Sequence, residues 1–338
     1  MKVNDVLKIA GAAGVLVAAK FLTRKISKYE LKDRVVLITG GSRGLGLVLA
    51  REFALRGAKI GICARDEEEL ERAQVDLENR GASVFAFKCD VTNNSEVIGM
   101  VEAVRNHFGA IDVLVNNAGI IQVGPLETMT QEDFRRAMNT HFWGPLNTTL
   151  AVLPEMRRRK TGRIVNISSI GGKISVPHLV PYSASKFALV GLSKGLRSEL
   201  AKDGISVTTV CPGLMRTGSP RNANFKGNHR AEYAWFSISD ALPFTSISAE
   251  RAARQIIGAC KRGQAELIIS IQAKAAVALD FLFPQTTTDL LATVNGLLPK
   301  ADESQDDQLK GSQSTSSWSP SWLTALNERA ALRNNETE

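Results

Sequence analysis

The sequence predicts a doubly wound α/β fold, a parallel sheet covered by helices on both faces. Three observations carry that expectation. Short apolar runs rich in Val, Ile and Leu recur along the chain and read as strands buried on both faces. Between them lie segments whose apolar residues fall at helical spacing. The first strand stops at a glycine cluster that opens into a helix, the start of a βα unit.

In chain order, Val35–Thr39 is the first strand and Leu45–Leu55 the helix after it. Strands are expected at Lys59–Cys63, Ser83–Lys88, Val113–Asn116, Arg163–Ser168 and Ser206–Cys211. The intervening helices are Glu67–Asn79, Ser95–Phe108, the long segment Glu132–Met156, and Tyr182–Ala201. Ser248–Arg251 resembles a capping box and starts a helix ending near Gly263, after which Glu266–Ile271 is the last strand. A single domain over residues 31–272 follows, with a substrate lid at 218–245 whose Tyr233, Trp235 and Phe236 are expected as pocket walls.

Of 338 residues, 44% are hydrophobic and 22% charged, which excludes collagen-like and wholly disordered chains. Cys63, Cys89, Cys211 and Cys260 form no C-x-x-C pair and have no histidine cluster beside them. Neither a disulfide framework nor a metal site is expected, and a reducing compartment fits. Net charge is +8, yet the first 34 residues hold eight Lys/Arg against three Asp/Glu, and residues 301–338 hold three against seven. The excess is partly terminal, and with aromatics at 6% no nucleic-acid partner is expected.

Residues 1–30 are expected to form an apolar helix. Ile9–Ala19 is an uncharged run of eleven residues, short of the ~17–25 that a spanning helix needs, and Val6–Leu22 reaches seventeen only with Lys8 and Lys20 at the interfaces. Two readings stay open: a membrane-associated helix, spanning or interfacial, and a helix packed on the protein. In the first, Arg24, Lys25 and Lys28 face the cytoplasm, so a cytoplasmic location is expected, with or without membrane association. Within residues 273–300, the apolar pieces Ala273–Phe283 and Leu290–Leu298 are too short to span. Packing on the domain, homo-oligomer formation and contact with a membrane surface are the alternatives there. The polar tail 301–338 is expected to be disordered through Ser321, with Trp322, Leu323 and Leu326 in a short docking helix.

The first turn reads Thr39-Gly40-Gly41-Ser42-Arg43-Gly44-Leu45-Gly46. Glycines there let the backbone turn tightly and approach a pyrophosphate, whose charge the positive end of the next helix favours. Further on stand Asp90-Val91 after the third strand, Asn116-Asn117-Ala118-Gly119 after the fourth, Asn139, Ser169, Tyr182 with Lys186, and Pro212-Gly213 followed by Thr217. In order and spacing, over roughly residues 33–220, this set resembles the classical short-chain dehydrogenase/reductase family. The resemblance implies a Rossmann-type domain and an oxidoreductase that moves hydride between a nicotinamide and a carbonyl or alcohol. It implies cofactor contacts at Thr39, Gly40, Ser42, Arg43, Gly44, Leu45, Gly46, Asp90, Val91, Asn117, Ala118, Gly119, Pro212, Gly213 and Thr217, and a catalytic set of Asn139, Ser169, Tyr182 and Lys186.

Tyr182 and Lys186 are four apart and share one helix face. A free phenol titrates near ~10, and lowering it by about three units takes roughly 4 kcal/mol of selective phenolate stabilisation. A nearby ammonium and the positive nicotinamide of an oxidised cofactor are suitable sources. Tyr182 is therefore expected to give the proton in carbonyl reduction or take it in alcohol oxidation. Lys186 is expected to hold the nicotinamide ribose as well. Ser169, thirteen positions before Tyr182, is expected to orient the reacting oxygen, with Ser168 its competitor. Asn139, by resemblance, holds a water linking Lys186 to solvent.

Cofactor preference is read from the end of the second strand. NAD enzymes of this shape place a carboxylate there for the ribose 2′-hydroxyl, whereas this chain has Ala64 followed by Arg65, with Arg43 in the glycine loop. Paired guanidinium groups suit a 2′-phosphate, so NADP(H) is expected over NAD(H). Asp66 dissents, though its position fits a helix cap. His107, His141 and His229 are expected in loops or on the surface, with a pocket contact an alternative for His178. Arg157–Lys160 is expected as a solvated helix end. The expected function is NADP(H)-dependent oxidoreduction of a small, lipophilic carbonyl or alcohol. The rivals are an NAD-dependent alcohol dehydrogenase and a non-catalytic nucleotide-binding scaffold on the same fold.

Overall fold

A computed structural model describes residues 29–242, 244–301 and 308–337. Seven strands form one sheet: β1 Val35–Thr39, β2 Lys59–Ala64, β3 Val84–Lys88, β4 Ile111–Asn116, β5 Gly162–Ile167, β6 Ile205–Pro212 and β7 Glu266–Ile269. Their order is β7-β6-β5-β4-β1-β2-β3, and every neighbouring pair is parallel. The winding reverses between β1 and β4, so a crevice opens at their carboxyl ends, where ligands of such sheets bind.

The strand sequences explain the two faces. Val36 and Ile38 of β1 join one core with Ile60, Ile62, Phe53 and Ile256, while Val35 and Leu37 join another with Val97, Met100, Leu114 and Val152. That is the period-two alternation of a strand with no solvent face. The first core is covered by α1 (Gly44–Ala54), α2 (Glu67–Asn79) and a later helix, Ala249–Arg262; the second by α3 (Asn94–Phe108) and by Gly144–Arg159.

The segment expected as one helix over 132–156 is divided. It runs as α4 (Gln131–Met138), a π-helical turn (Asn139–Trp143) and α5 (Gly144–Arg159), with Pro145 in the first turn of α5. Gly144 N–H bonds Asn139 O, five residues back. Next come α6 (Val180–Leu200), α7 (His229–Ala241), α8 (Ala249–Arg262), α9 (Ile271–Leu282), α10 (Pro284–Asn295) and α11 (Ala325–Arg333). At the end of α5, Arg157 and Lys160 pair with Asp203, and Arg159 with Asp112.

Two expectations about the ends change. The tail read as disordered through residue 321 is packed from 308 to 337, with Leu309–Lys310 pairing beside Asn224–Phe225. Its docking helix α11 buries Asn327, Ala330 and Ala331, while Trp322 is 84% exposed and Leu326 also faces solvent. Small and amide side chains dock it, so apolar spacing was no guide. Helices α9 and α10 pack on each other and leave Ile271, Phe281, Leu282 and Leu297 exposed. Among the described residues no helix is long and apolar enough to cross a membrane. The N-terminal segment, Val6–Leu22 included, lies outside the described residues.

Candidate active site

The glycine loop is seated by its neighbours. Thr39 Oγ1 accepts the N–H groups of Asn117 and Ala118 at 3.0 and 3.1 Å, and Asn117 Nδ2 donates to Thr39 O and Gly40 O. A Cβ at Gly40 would lie 2.8 Å from Ala118 Cα, so only glycine lets the loop rest on the end of β4. Gly46 faces the Gly40 carbonyl in the same way. The loop thereby aims the N-terminus of α1 into a cleft of about 670 Å³. Arg43 precedes α1 without capping it by side chain.

That cleft brings together Gly40, Ser42, Arg43, Gly44, Leu45, Arg65, Asp90, Val91, Asn117, Ala118, Gly119, Tyr182, Lys186 and Thr217. Thr39 and Gly46 support the loop from behind. Pro212 ends β6 and Gly213 follows it, packed close to Ser270 and Ala273; neither lines the cleft.

At one end of the cleft, α6 carries Tyr182 and Lys186. Lys186 Nζ donates to Ile167 O at 3.0 Å and stands 5.5 Å from the centre of the Tyr182 ring. Ser169 Oγ accepts Gly171 N–H at 3.0 Å and acts on the Tyr182 phenol against its burial, whereas Ser168 Oγ donates to Lys186 O at 3.0 Å, so the two serines face different partners. Burial pushes the Tyr182 phenol up, although Ser169 opposes it, and burial drops Lys186 to about 7. The lowered phenol expected from the sequence is thus not supplied by the chain's own groups.

Asn139 does not join this group. It is exposed at the start of the π turn, and the extra residue in that turn carries His141 into the cleft instead. His141 corrects the surface reading too: it is buried, with its ring edge-on to Tyr182 at 5.4 Å. Its Nε2 accepts Ile120 N–H at 3.1 Å, so Nδ1 carries the proton and donates to Ser185 Oγ at 2.7 Å. Ser185 Oγ in turn donates to Tyr182 O at 2.7 Å. Burial and Lys186 hold His141 well below the usual imidazole range, so it is neutral. One ring therefore ties the loop after β4 to the turn of α6 that bears Tyr182. The signal available in the sequence was a histidine just before an aromatic pair and a glycine, and periodicity alone did not mark it.

His178 and His229 are likewise buried, while His107 is exposed and stacks on Phe85. His178 Nδ1 bonds Glu232 Oε1 at 2.7 Å, and Trp235 Nε1 donates to the other oxygen of Glu232 at 2.6 Å. This joins the loop before α6 to the lid helix α7. Tyr233, expected as a pocket wall, is fully buried against Phe225 and belongs to a small core with Val123, Leu179 and Phe236. Trp235, like Ile121, Val176 and Tyr182, is partly buried and packs against that same core, and of these only Ile121 and Tyr182 line the cleft.

At the other end of the cleft, Arg43 pairs with Glu69 at 2.7 Å and with Glu336 at 3.6 Å. Arg65 is 65% exposed and 4.0 Å from Asp90. Asp66 accepts Glu69 N–H at 2.9 Å as the cap of α2. The residues present fit a dinucleotide: a glycine loop at an uncapped helix N-terminus, guanidinium groups at one end and a tyrosine–lysine pair at the other.

A family model described as short chain dehydrogenase matches residues 34–226. A dehydrogenase/reductase SDR family protein 7-like from Anopheles gambiae is 37% identical over 285 residues, covering 82% of this chain and 88% of that protein. Among solved structures, an actinorhodin polyketide ketoreductase with NADPH is similar with a TM-score of 0.63 and 33% identity, over 70% of this chain and 95% of that one. A gluconate 5-dehydrogenase from Burkholderia cenocepacia, in complex with NADP and tartrate, gives 0.65 and 28% over 74% of this chain and 98% of that one. More than half of the chain, including most of the sheet and both ends of its crevice, falls within the match: it belongs to the short chain dehydrogenase family, oxidoreductases that act on CH–OH and C=O groups with NAD(P).

Proposed function

We propose that this protein is an NADP(H)-dependent reductase of a small, lipophilic carbonyl compound. The observation that carries the cofactor choice is the end of β2, where Ala64 stands in place of a carboxylate and Arg43 and Arg65 flank the cleft. Both solved relatives named above hold the phosphorylated dinucleotide, which supports the same choice. Ile120, Ile121 and Met215, which line the same cleft as Tyr182, support an apolar substrate.

A bound nicotinamide supplies or accepts the hydride. Gly44 and Leu45, at the N-terminus of α1, would hold the pyrophosphate, and Lys186 the nicotinamide ribose. Tyr182 gives its phenolic proton to the substrate oxygen during reduction, and Ser169 hydrogen-bonds that oxygen and orients it. Ser169 opposes the burial that raises the Tyr182 phenol, and His141, through Ser185, keeps in place the helix turn that bears Tyr182.

A second reading has one observation in its favour. Glu69 binds Arg43 at 2.7 Å and accepts from Ser42 Oγ at 3.2 Å, so a carboxylate does stand near this end, as an NAD-dependent alcohol dehydrogenase requires. Steady-state rates with NADPH and NADH against a panel of lipophilic ketones and aldehydes separate the two. At least about tenfold higher kcat/KM with NADPH is expected from one or two charge-assisted contacts. Equal values, or preference for NADH, favour the second reading.

A further inference from the structure

The N-terminus of α1 already has an anion beside it, and that anion belongs to the chain itself. After α11 the backbone descends onto the glycine loop. Gly44 N–H donates to Asn334 O at 2.9 Å, and Asn335 Nδ2 donates to Ser42 O and Glu69 O, each at 2.9 Å. Arg51 holds Arg333 O at 3.0 Å. Glu336 then turns its carboxylate into the cleft, 3.6 Å from Arg43 Nε, and accepts from Asn222 Nδ2 at 2.7 Å. It lies so close to Gly44 that a Cβ there would collide with Oε1.

The segment is held from above. Ala330 and Ala331 are buried, and Gly218, at φ +95°, packs so closely under Ala331 that no side chain fits at that glycine. Gly218 N–H donates to Asn327 Oδ1 at 3.0 Å, Arg221 pairs with Glu328 at 2.7 Å, and Arg333 with Glu250 at 2.8 Å. These contacts do not resemble a tail laid at random on a surface. They deliver one carboxylate and one carbonyl to the helix end at which phosphates are favoured.

We propose that the segment Asn334–Glu336 is an internal competitor of the dinucleotide, occupying the helix N-terminus and drawing on Arg43 so that cofactor enters only as the segment lifts away. The carboxylate and a pyrophosphate cannot share this corner, because like charges in a partly desolvated cleft repel and Arg43 serves one or the other. Burial, with Glu69 adding to it, already raises Glu336 to about 7 against the opposing pull of Arg43, Asn222 and Arg221. Asn222, which holds Glu336, shares the turn Ser219–Asn222 with Arg221, on which α11 rests, so the lifting that admits cofactor also frees that turn.

The expected excess for NADPH over NADH rests on the NADP(H) reading; the competition itself does not. Binding of both dinucleotides is measured by nicotinamide fluorescence for the full chain, for Glu336→Ala and for a chain ending at Arg333. Both variants are expected to tighten both dinucleotides, by about tenfold or more for the truncation, with the larger gain for NADPH because Arg43 is freed. Amide hydrogen exchange gives a second readout: saturating the full chain with NADPH is expected to cost residues 325–337 their protection. Gains equal for the two dinucleotides uphold the competitor and count against the NADP(H) preference alone. Unchanged or weaker binding of both dinucleotides in Glu336→Ala, which keeps α11 and so decides the matter should the shortened chain not fold, overturns the proposal. Greater protection of 325–337 with NADPH overturns it as well, since the segment would then clasp the cofactor.

Discussion

The two ends of the cleft are built differently. At the end with the tyrosine–lysine pair, Lys186 and His141 are buried and Tyr182 is half-buried, and they are bonded, directly or through Ser185, to backbone atoms of β5, the loop after β4 and α6 itself. At the adenosine end, Arg43 and Arg65 are long, partly exposed side chains that share their charge with Glu69, Glu336 and Asp90. Burial fixes geometry at the first end and desolvates its titratable groups. Exposure leaves the second end screened and adjustable. Chemistry that depends on position should therefore fail sharply with single changes at the first, while preference should drift by modest factors at the second.

The sharpest break is Tyr182→Phe. It should keep the fold and cofactor binding while lowering turnover by about 10²–10⁴-fold, measured in steady-state assays with a confirmed substrate. Near wild-type turnover would remove Tyr182 from the mechanism. Next comes the buried ammonium. Lys186 titrates at about 7 in the fold against an ordinary 10.5, so between those values the unfolded chain binds a proton that the folded chain lacks. Stability should rise with pH across that window, by up to ~1.4 kcal/mol per pH unit. Denaturant titrations at pH 7 and pH 9 should show this gain in the wild type and its loss in Lys186→Met; parallel curves would mean that Lys186 is not desolvated.

His141→Leu should cost about 1–3 kcal/mol of stability by leaving Ile120 N–H buried without its acceptor, and should lower turnover without changing NADPH affinity much. A variant as stable as the wild type would show that the ring is no tie between the loop and α6. The smallest effect belongs to the adenosine end. Arg43→Ala with Arg65→Ala should move the NADPH-to-NADH preference by about tenfold through the 2′-phosphate, and Arg65→Ala alone by less, since it is largely exposed. Equal losses for both dinucleotides would assign the arginines a structural role.

The same contrast explains what could be read from the chain alone. Strand β1 opens on the apolar run Val35–Ile38, β4 carries Val113–Val115, and helix α2 falls on its expected residues Glu67–Asn79, because burial on both faces and a charged outer stripe both leave marks in sequence. The glycine loop was legible for a steric reason that any βα turn of this kind shares. Asn139 was read from the family pattern alone, which does not show that a π turn, adding one residue to the helix, leaves Asn139 exposed and brings His141 into the cleft. The tail was misjudged for a different reason. Its contacts are made by Ala330, Ala331, Asn327, Asn334 and Asn335, through close approach and amide bonds to backbone, and such contacts have no hydrophobic period to detect.

The reversal of winding between β1 and β4 also has a consequence in time. Strand β1 pairs with β2 on one edge and with β4 on the other, and β4 ends at Asn116, well after β3 ends at Lys88. On a ribosome adding ~5–20 residues per second, β1, β2 and β3 emerge a few seconds before the strand that closes them. During that interval an apolar strand shows an open edge of unpaired N–H and C=O groups, the kind of edge that recruits a wrong partner. The switch that creates the crevice thus makes the nascent first half of the sheet the stretch most in need of protection as the chain is born.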